Sequence, residues 1–495
     1  MYRKEEQSQV LSENFELPFE GKLSEDNRWV IMASLIPWLE FEDEYASIFS
    51  EEVGAPAKSF RMALGALIIK EKLGISDRET VEQIKENPYL QYFIGMSSYS
   101  QDTPFDASML VHFRQRIGVE LVNKINQTMV KKMLEDSSTN KKKELNEPTN
   151  RGKLILDATC APSDISYPTD LGLLNQARKH TEKIIDFLYE QVKNQLDKKP
   201  RTYRKLARKN YLKVAKKRRP FQKERRKAVK KQLQYIKRNI SHIKQLVYIG
   251  ANLSKLSIRQ YKILLVISEI YRQQLWLYEN KKKSIDNRIV SLNQPHVRPI
   301  LRGKAGKTVE FGAKLSASYF DGYIFLDRIS WNNFNESTDL KIQIESFKKY
   351  TGYYPESVHI DKIYRTQKNR AWCKERGIRI SGPPLGRPPA NISKEKKKQA
   401  AHDEKIRSSI EGKFGQGKRR FSLNCVMTKL SHTSKTAIAI TFLVMNLSTY
   451  ISRLLRAFLC LFFRNLPFSR PGIKNYYSFF GFNKQKLIFS PSLNN

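Results

Sequence analysis

Residues 153–159, KLILDAT, are a continuous apolar run closing on a carboxylate, Asp157, and residues 357–361, SVHID, repeat that pattern with Asp361. Unbroken apolar runs of this length read as strands buried on both faces, so each segment is predicted to be an interior strand delivering an acid to one end of a sheet. Between them, residues 309–316 and 323–330 flank Asp321-Gly322, the dipeptide of a tight hairpin turn. A helix is predicted over about 337–350, with Ser337 or Thr338 as its cap, and another over about 366–376 that stops at Gly377. The strand 378–381 and a Pro-rich loop, GPPLGRPP, then lead to a polar helix over about 393–412 that holds Glu411.

The first strand and the hairpin are separated by a segment of different character. Residues 201–250 contain nineteen Lys and Arg against one acid, Glu224. Leu233, Ile236, Ile240, Ile243 and Val247 repeat at helical spacing, and Leu264, Ile267, Tyr271, Leu275 and Tyr278 continue the series after Gly250. Two amphipathic helices in an antiparallel hairpin are predicted. So dense a positive face is unfavourable without a polyanion, and Arg218, Arg219, Arg225 and Arg226 are its candidate phosphate contacts. With this basic insertion removed, the order is three strands, helix, strand, helix, strand, helix, which is similar to the ribonuclease-H-like fold.

The organisation expected is therefore an α/β protein. An all-α N-terminal domain over residues 1–135 and a polar linker over 136–152 precede a catalytic core of 153–177 and 306–450. A basic helical insertion over 178–305 interrupts that core, and a tail over 451–495 follows it. The length of 495 residues requires more than one core, and 40% hydrophobic residues exclude a mainly disordered chain. The N-terminal region differs in charge: residues 1–100 carry eighteen acids and ten bases in a chain of net charge +40. Within it, residues 59–73 read as a helix stopped by Gly74, and Ser76 with Glu79 reads as a capping box opening a second helix toward Pro88. Two roles fit this pair, DNA-end reading as a helix-turn-helix, with Lys70, Lys72, Arg78 and Lys85 as contacts, or packing and dimerisation.

Four scattered cysteines without a CxxC pair argue against zinc and a disulfide framework, and the opening residues MYRKEEQSQV have no apolar core of a signal peptide. The apolar stretch 436–463 is broken by Asn446, Arg453 and Arg456 and is read as a buried helix instead of a membrane span. A cytoplasmic chain with no membrane partner is expected. Gly306-Lys307-Thr308 lacks the spacing and following helix of a phosphate-binding loop, so ATP is not implied.

Two acids at neighbouring strand ends and a third on a packing helix would repel one another unless cations lay between them. Hard carboxylate oxygens suit Mg²⁺, with Mn²⁺ as a substitute. Asp157, Asp361 and Glu411 are thus the candidate catalytic and metal-binding set, holding two ions for phosphoryl transfer. Here the sequence resembles the bacterial insertion-sequence transposases of the Asp-Asp-Glu type, with an InsH-like N-terminal domain. That family's glutamate helix carries tyrosine, arginine, glutamate and lysine at fixed spacing, and RSSIEGKFGQGK supplies Arg407, Glu411 and Lys418. LILDATCAPSDISYPTD and HIDKIYRTQKN match its two aspartate regions. Glu404 stands where the tyrosine would be, and Ile363 where many relatives place glycine.

The resemblance implies that Arg407 and Lys418 contact DNA near the scissile phosphate. It also implies that the chain works on double-stranded DNA at element ends and target, as a nucleoid-associated homodimer. Trp331 is either a base-stacking residue or a core residue. A ribonuclease-H-like nuclease without strand transfer and a non-catalytic nucleic-acid-binding protein are the alternatives.

Overall fold

The computed structural model describes residues 14–17, 21–50, 54, 56–138, 150–304, 307–382 and 393–464. Most of the linker, Gly306, nearly all of the Pro-rich loop and the chain from 465 onward lie outside the described residues. Contacts divide the chain into two compact units, residues 1–449 and 450–495. The described part of the second is the end of one long helix.

The N-terminal region is helical, with α1 (Arg28–Leu35), α2 (Glu42–Ala46), α3 (Phe60–Leu73), α4 (Asp77–Glu86), α5 (Pro88–Phe93) and α6 (Met109–Ser138). Gly74 ends α3 in the left-handed conformation, φ 70°, and its N–H donates to the Lys70 carbonyl. Ser76 caps α4 by accepting from the Glu79 amide. Pro88 begins a further helix instead of merely ending α4, because at the first helical position it has no N–H to leave unpaired and Asn87 supplies the cap.

The sheet follows. β1 (Lys153–Pro162) lies at its centre, antiparallel to β3 (Lys307–Phe320) and parallel to β5 (Ser357–His359), which is parallel to β6 (Arg379–Ile380). The outer edge of β3 is shared by β2 (Arg298–Lys304) and β4 (Tyr323–Ser330). The β3–β4 turn has Asp321 and Gly322 at φ 44° and 83°, the conformation the Asp-Gly pair predicts. Between β4 and β5 lies α11 (Leu340–Thr351), and between β5 and β6 lies α12 (Gln367–Glu375). Neither Ser337 nor Thr338 caps α11. They belong to a short 3₁₀ turn whose cap is Asn335, bonded to the Ser337 amide, and α11 starts only after it. α13 (Lys394–Arg420) and α14 (Ser431–Arg464) complete the order.

Four helices, not two, separate β1 from the rest of the sheet: α7 (Asp170–Val192), α8 (Arg204–Ala215), α9 (Gln222–Ile249) and α10 (Ile258–Glu279). α9 packs chiefly along α7 and less on α10. Leu233, Ile236, Ile263 and Ile267 meet Leu173, Leu174 and Ala177 in one core, and Ile243 and Leu246 meet Ile184, Ile185 and Leu188 in a second. Val247, at the end of the predicted apolar stripe, is exposed. Residues 298–304, expected in the helical insertion, are paired in the sheet as β2.

Among the described residues one segment, Ser431–Ala457, is long and apolar enough to cross a membrane, and 67% of its apolar window is buried inside the protein. Asn446, which interrupts that window, donates to Asn126 of α6 and to the Ile324 carbonyl of β4 and accepts from the Ile324 amide. Buried amides survive in a core when paired in this way, and here they join α14, α6 and the sheet.

Candidate active site

Asp157 sits in the middle of β1, not at the strand end the sequence predicts, because the strand continues to Pro162 through its pairing with β3. The parallel β1–β5 register ends at Ile155 opposite His359, and Asp361 follows two residues after β5 ends. The Asp157 carboxylate accepts from the next amide, Ala158, at 2.8 Å, and is half-buried. Burial, with Glu336 and Glu411 nearby, pushes its pKa up to about 6 against the opposing pull of the Ala158 amide and Arg407. Asp361 is exposed and caps a short 3₁₀ turn, accepting from the Lys362 amide at 2.6 Å.

α13 brings the third acid. Glu411 is about half exposed, and Arg407, one turn earlier, reaches it at 3.1 Å. Arg407 is mostly enclosed and bonds Glu404 at 2.6 Å. Glu404 first, then Glu411 and Asp157, hold the guanidinium above its ordinary pKa. The glutamate standing in the tyrosine position therefore fixes the arginine, which lies within the field of two of the three acids. Lys418 lies on the same helix, because α13 runs unbroken through Gly412, Gly415 and Gly417.

Asp157, Arg407 and Glu411 are thus electrostatically joined, and Asp361 lies just beyond the end of β5, the strand parallel to β1. Among the described residues no three His, Cys, Asp or Glu side chains are grouped closely enough to hold a metal ion. The donor chemistry nevertheless fits a hard divalent cation. The acids are oxygen ligands, and the pKa of Asp157 is raised first by burial and then by Glu336 and Glu411, both of which a bound cation would offset.

Two further residues adjoin the site. Lys314, nearly buried on β3, pairs with Glu336 at 2.8 Å and donates to the Phe334 carbonyl at 2.8 Å. No sequence signal singles out this pair, since the strand VEFGAKLS also carries Glu310 and the partner of Lys314 lies outside the strand. Tyr364 is fully buried, and burial together with Glu336 and Asp157 raises its pKa.

Trp331 is half-buried, edge-on to His296 at 4.4 Å. In the insertion, Arg218, Arg219 and Arg225 are exposed. Arg226 is engaged otherwise, stacked 4.2 Å over the Tyr278 ring and donating to the Tyr278 carbonyl at 2.9 Å. In the N-terminal helix pair, α3 is buried around nearly its whole girth. Lys72 donates to Ser448 at 2.7 Å, and burial, with Arg28 and Arg420 nearby, lowers its pKa to about 8. Glu71 is buried and accepts from the Ser422 amide and the Thr441 hydroxyl, both at 2.8 Å. Of the four basic residues proposed to read DNA, Arg78 alone is exposed, and Lys70, Lys72 and Lys85 are half-buried.

Residues 358–448 match the family model of a transposase DDE domain, and residues 17–116 that of a transposase domain, DUF772. A protein of Rhizobium meliloti described as uncharacterized protein ORF8 in nfe locus is 30% identical over 158 residues, which are 31% of this chain and 72% of that protein. No solved structure matches.

Proposed function

This chain belongs to the DDE transposases, and from that premise we propose that it cleaves insertion-sequence ends and transfers their 3′-OH strands to target DNA. The reading rests above all on one observation: Asp157 from the central strand and Glu411 from a helix far along the chain share one electrostatic environment around Arg407. The ribonuclease-H-like core is the scaffold assigned to this chemistry, and the strand order β4-β3-β1-β5-β6 supports it.

In this reading Asp157, Asp361 and Glu411 hold two Mg²⁺ ions, or Mn²⁺ in their place. When bound, these ions supply activation of the attacking oxygen and stabilisation of the leaving one. Arg407 and Lys418 orient the scissile phosphate, and Glu404 keeps the Arg407 guanidinium in its plane. The exposed arginines Arg218, Arg219 and Arg225 grip duplex DNA without sequence preference, so that the end is delivered to the carboxylates. Residues 1–135 serve as a scaffold for assembly of a homodimer on paired ends, because their helices α3 and α6 are bonded into the core. The assembly acts in the cytoplasm, on the nucleoid.

A product assay tests the proposal. With Mg²⁺ and DNA carrying the element ends, both nicked ends and joined products are expected, and pre-cleaved ends should be joined directly. Nicks without joining would reduce the protein to a nuclease, and no Mg²⁺-dependent product at all would leave only DNA binding.

A further inference from the structure

α13 is 27 residues long, about 40 Å at helical rise. It lies on the sheet unevenly. Ile410, Phe414 and Gly417 are buried in its second half, with Gly417 so close to α14 that an added Cβ would meet the Met445 sulfur at 3.0 Å. From Ser393 to Ser409, by contrast, a single side chain of the helix is buried, and it is a carboxylate, Asp403.

Asp403 is held by Arg379 of β6 through two parallel bonds of 2.8 and 2.9 Å, with Gln399 donating at 3.0 Å from one turn earlier on the same helix. His359 of β5, fully buried, lies 3.7 Å away and has Ser357 at 3.1 Å on its other nitrogen. One carboxylate therefore sits among the strand end that leads to Asp361, the neighbouring strand and the helix that carries Glu411.

We propose that Asp403, clamped by Arg379, is a positioning residue that sets the height and rotation of α13 on the sheet and so places Glu411 and Arg407 opposite Asp157. The reasoning is mechanical. Glu411 lies eight residues beyond Asp403, about two turns, and Arg407 lies one turn beyond it. Apolar anchors at Ile410 and Phe414 fix the helix laterally but are non-directional, so they tolerate a small roll or slide. A bidentate guanidinium–carboxylate pair does not, since both bonds have defined length and plane. Without it, the four largely exposed turns before Ile410 have no fully buried side chain holding them to the sheet, and the Glu404–Arg407–Glu411 ladder moves with them. The inference rests on the reading of Glu411 as the helix-borne ligand of the site.

The experiment uses the full chain with Asp403→Asn, which keeps size and loses the charge, and Arg379→Lys, which keeps charge and loses the second bond. Hydrogen exchange of the metal-free protein reads the helix directly. Amides 398–409 should exchange at least about tenfold faster in Asp403→Asn, with β1 amides unchanged, and Arg379→Lys should give a smaller change in the same segment. In end cleavage, the Mg²⁺ concentration for half-maximal rate should rise about tenfold in Asp403→Asn, with DNA affinity unaltered. Unchanged exchange in 398–409, or an unchanged Mg²⁺ requirement, would overturn the positioning role. Faster exchange throughout β1 as well would also overturn it, since Asp403 would then be supporting the whole fold. Glu411→Ala separates the two levels: if it still cleaves, the reading of Glu411 fails. If it is inactive while Asp403→Asn resembles the parent in both measurements, only the clamp fails.

Discussion

In the sheet core several charged groups at the site, Asp157, Arg407, Lys314 and Glu336 among them, sit partly inside the protein, whereas in the α7–α10 insertion most charges stand outside it. Asp157 is half-buried with its pKa pushed up to about 6, Lys314 and Glu336 pair beside it, and Asp327 is half-buried too, bonded to Gln343 and Ser318. The insertion reverses this arrangement. Its interior is built from Leu, Ile and Ala around an enclosed ion pair, Arg178 with Glu182, while its other lysines and arginines largely line the surface. Burial makes a few charges strong and sensitive to protonation, and exposure makes many charges weak, additive and sensitive to salt. The core should therefore respond to pH and to single substitutions, and the insertion to ionic strength and to substitutions in groups.

The sharpest break between the two regions should come from the carboxylates. Asp157→Ala, Asp361→Ala and Glu411→Ala should each lower cleavage and joining by at least about a thousandfold, because loss of one ligand disables the whole site. DNA affinity at fixed salt should stay within about twofold. A gel assay of end cleavage beside an equilibrium binding titration checks both, and near-normal turnover in one variant would remove that residue from the set.

A second expectation follows from Asp327. It is half-buried on β4, accepting from Gln343 at 2.7 Å and Ser318 at 3.2 Å, and desolvation of its carboxylate pushes its pKa up to about 7 from 3.8, with Asp339 adding to the rise. Between those values the folded state holds a proton that the unfolded state has released. This group's stabilising contribution is thus complete below about pH 4, falls as pH rises toward 7 and is flat above. Asp327→Asn should remove that slope, gaining stability at pH 8 relative to pH 5 by no more than about 3 kcal/mol. Urea midpoints of both proteins at the two pH values are the measurement, and parallel pH profiles would show that Asp327 does not titrate in this range.

What the sequence discloses, and what it does not, follows the range over which each feature acts. The two aspartate strands, the Asp-Gly turn, Gly74 and the Ser76 cap each carry their cause within a few residues and are legible. The partner of α9 is not, since periodicity identifies an apolar face but not the face it meets. β2, RPILRGK, has neither alternation nor an apolar run, and pairing with the long β3 alone makes it a strand. Three glycines in α13 suggest a break after Glu411. The helix persists because the absent Cβ of Gly417 admits Met445 and Leu423, and that packing offsets a helix penalty of about 1 kcal/mol per glycine. The set Asp157, Asp361, Glu411 and Arg407 can be named from the sequence, whereas Lys314, Glu336 and Asp403 cannot, because their partners are distant in sequence at no fixed spacing.

On the insertion side, Arg218→Gln, Arg219→Gln and Arg225→Gln together should weaken binding to every duplex, cognate or random. The plot of log affinity against log salt should become shallower by about 0.9 for each phosphate that is no longer neutralised. Cleavage at saturating DNA should be unaffected, the converse of the carboxylate variants. An unchanged slope would mean that these arginines lie off the DNA path and that the insertion's charge serves another polyanion.

The smallest expected effect tests the comparison inside a single helical turn. Arg225 and Arg226 are adjacent at the start of α9, yet one is exposed and the other is stacked on Tyr278 with its N–H on the Tyr278 carbonyl. That carbonyl belongs to the last turn of α10, where the helix has no amide of its own left to satisfy it. Arg226 therefore closes the end of a neighbouring helix and lends it positive charge at the negative end of its dipole. Arg226→Gln should lower stability by about 1 kcal/mol and move the salt slope little, because the guanidinium is already committed. Arg225→Gln should do the opposite, leaving the urea midpoint in place and making the slope shallower by about 0.9. If the two variants shift the slope equally, Arg226 swings out to phosphate when DNA arrives. The division between arginines that build the insertion and arginines that use it would then hold only for the free protein.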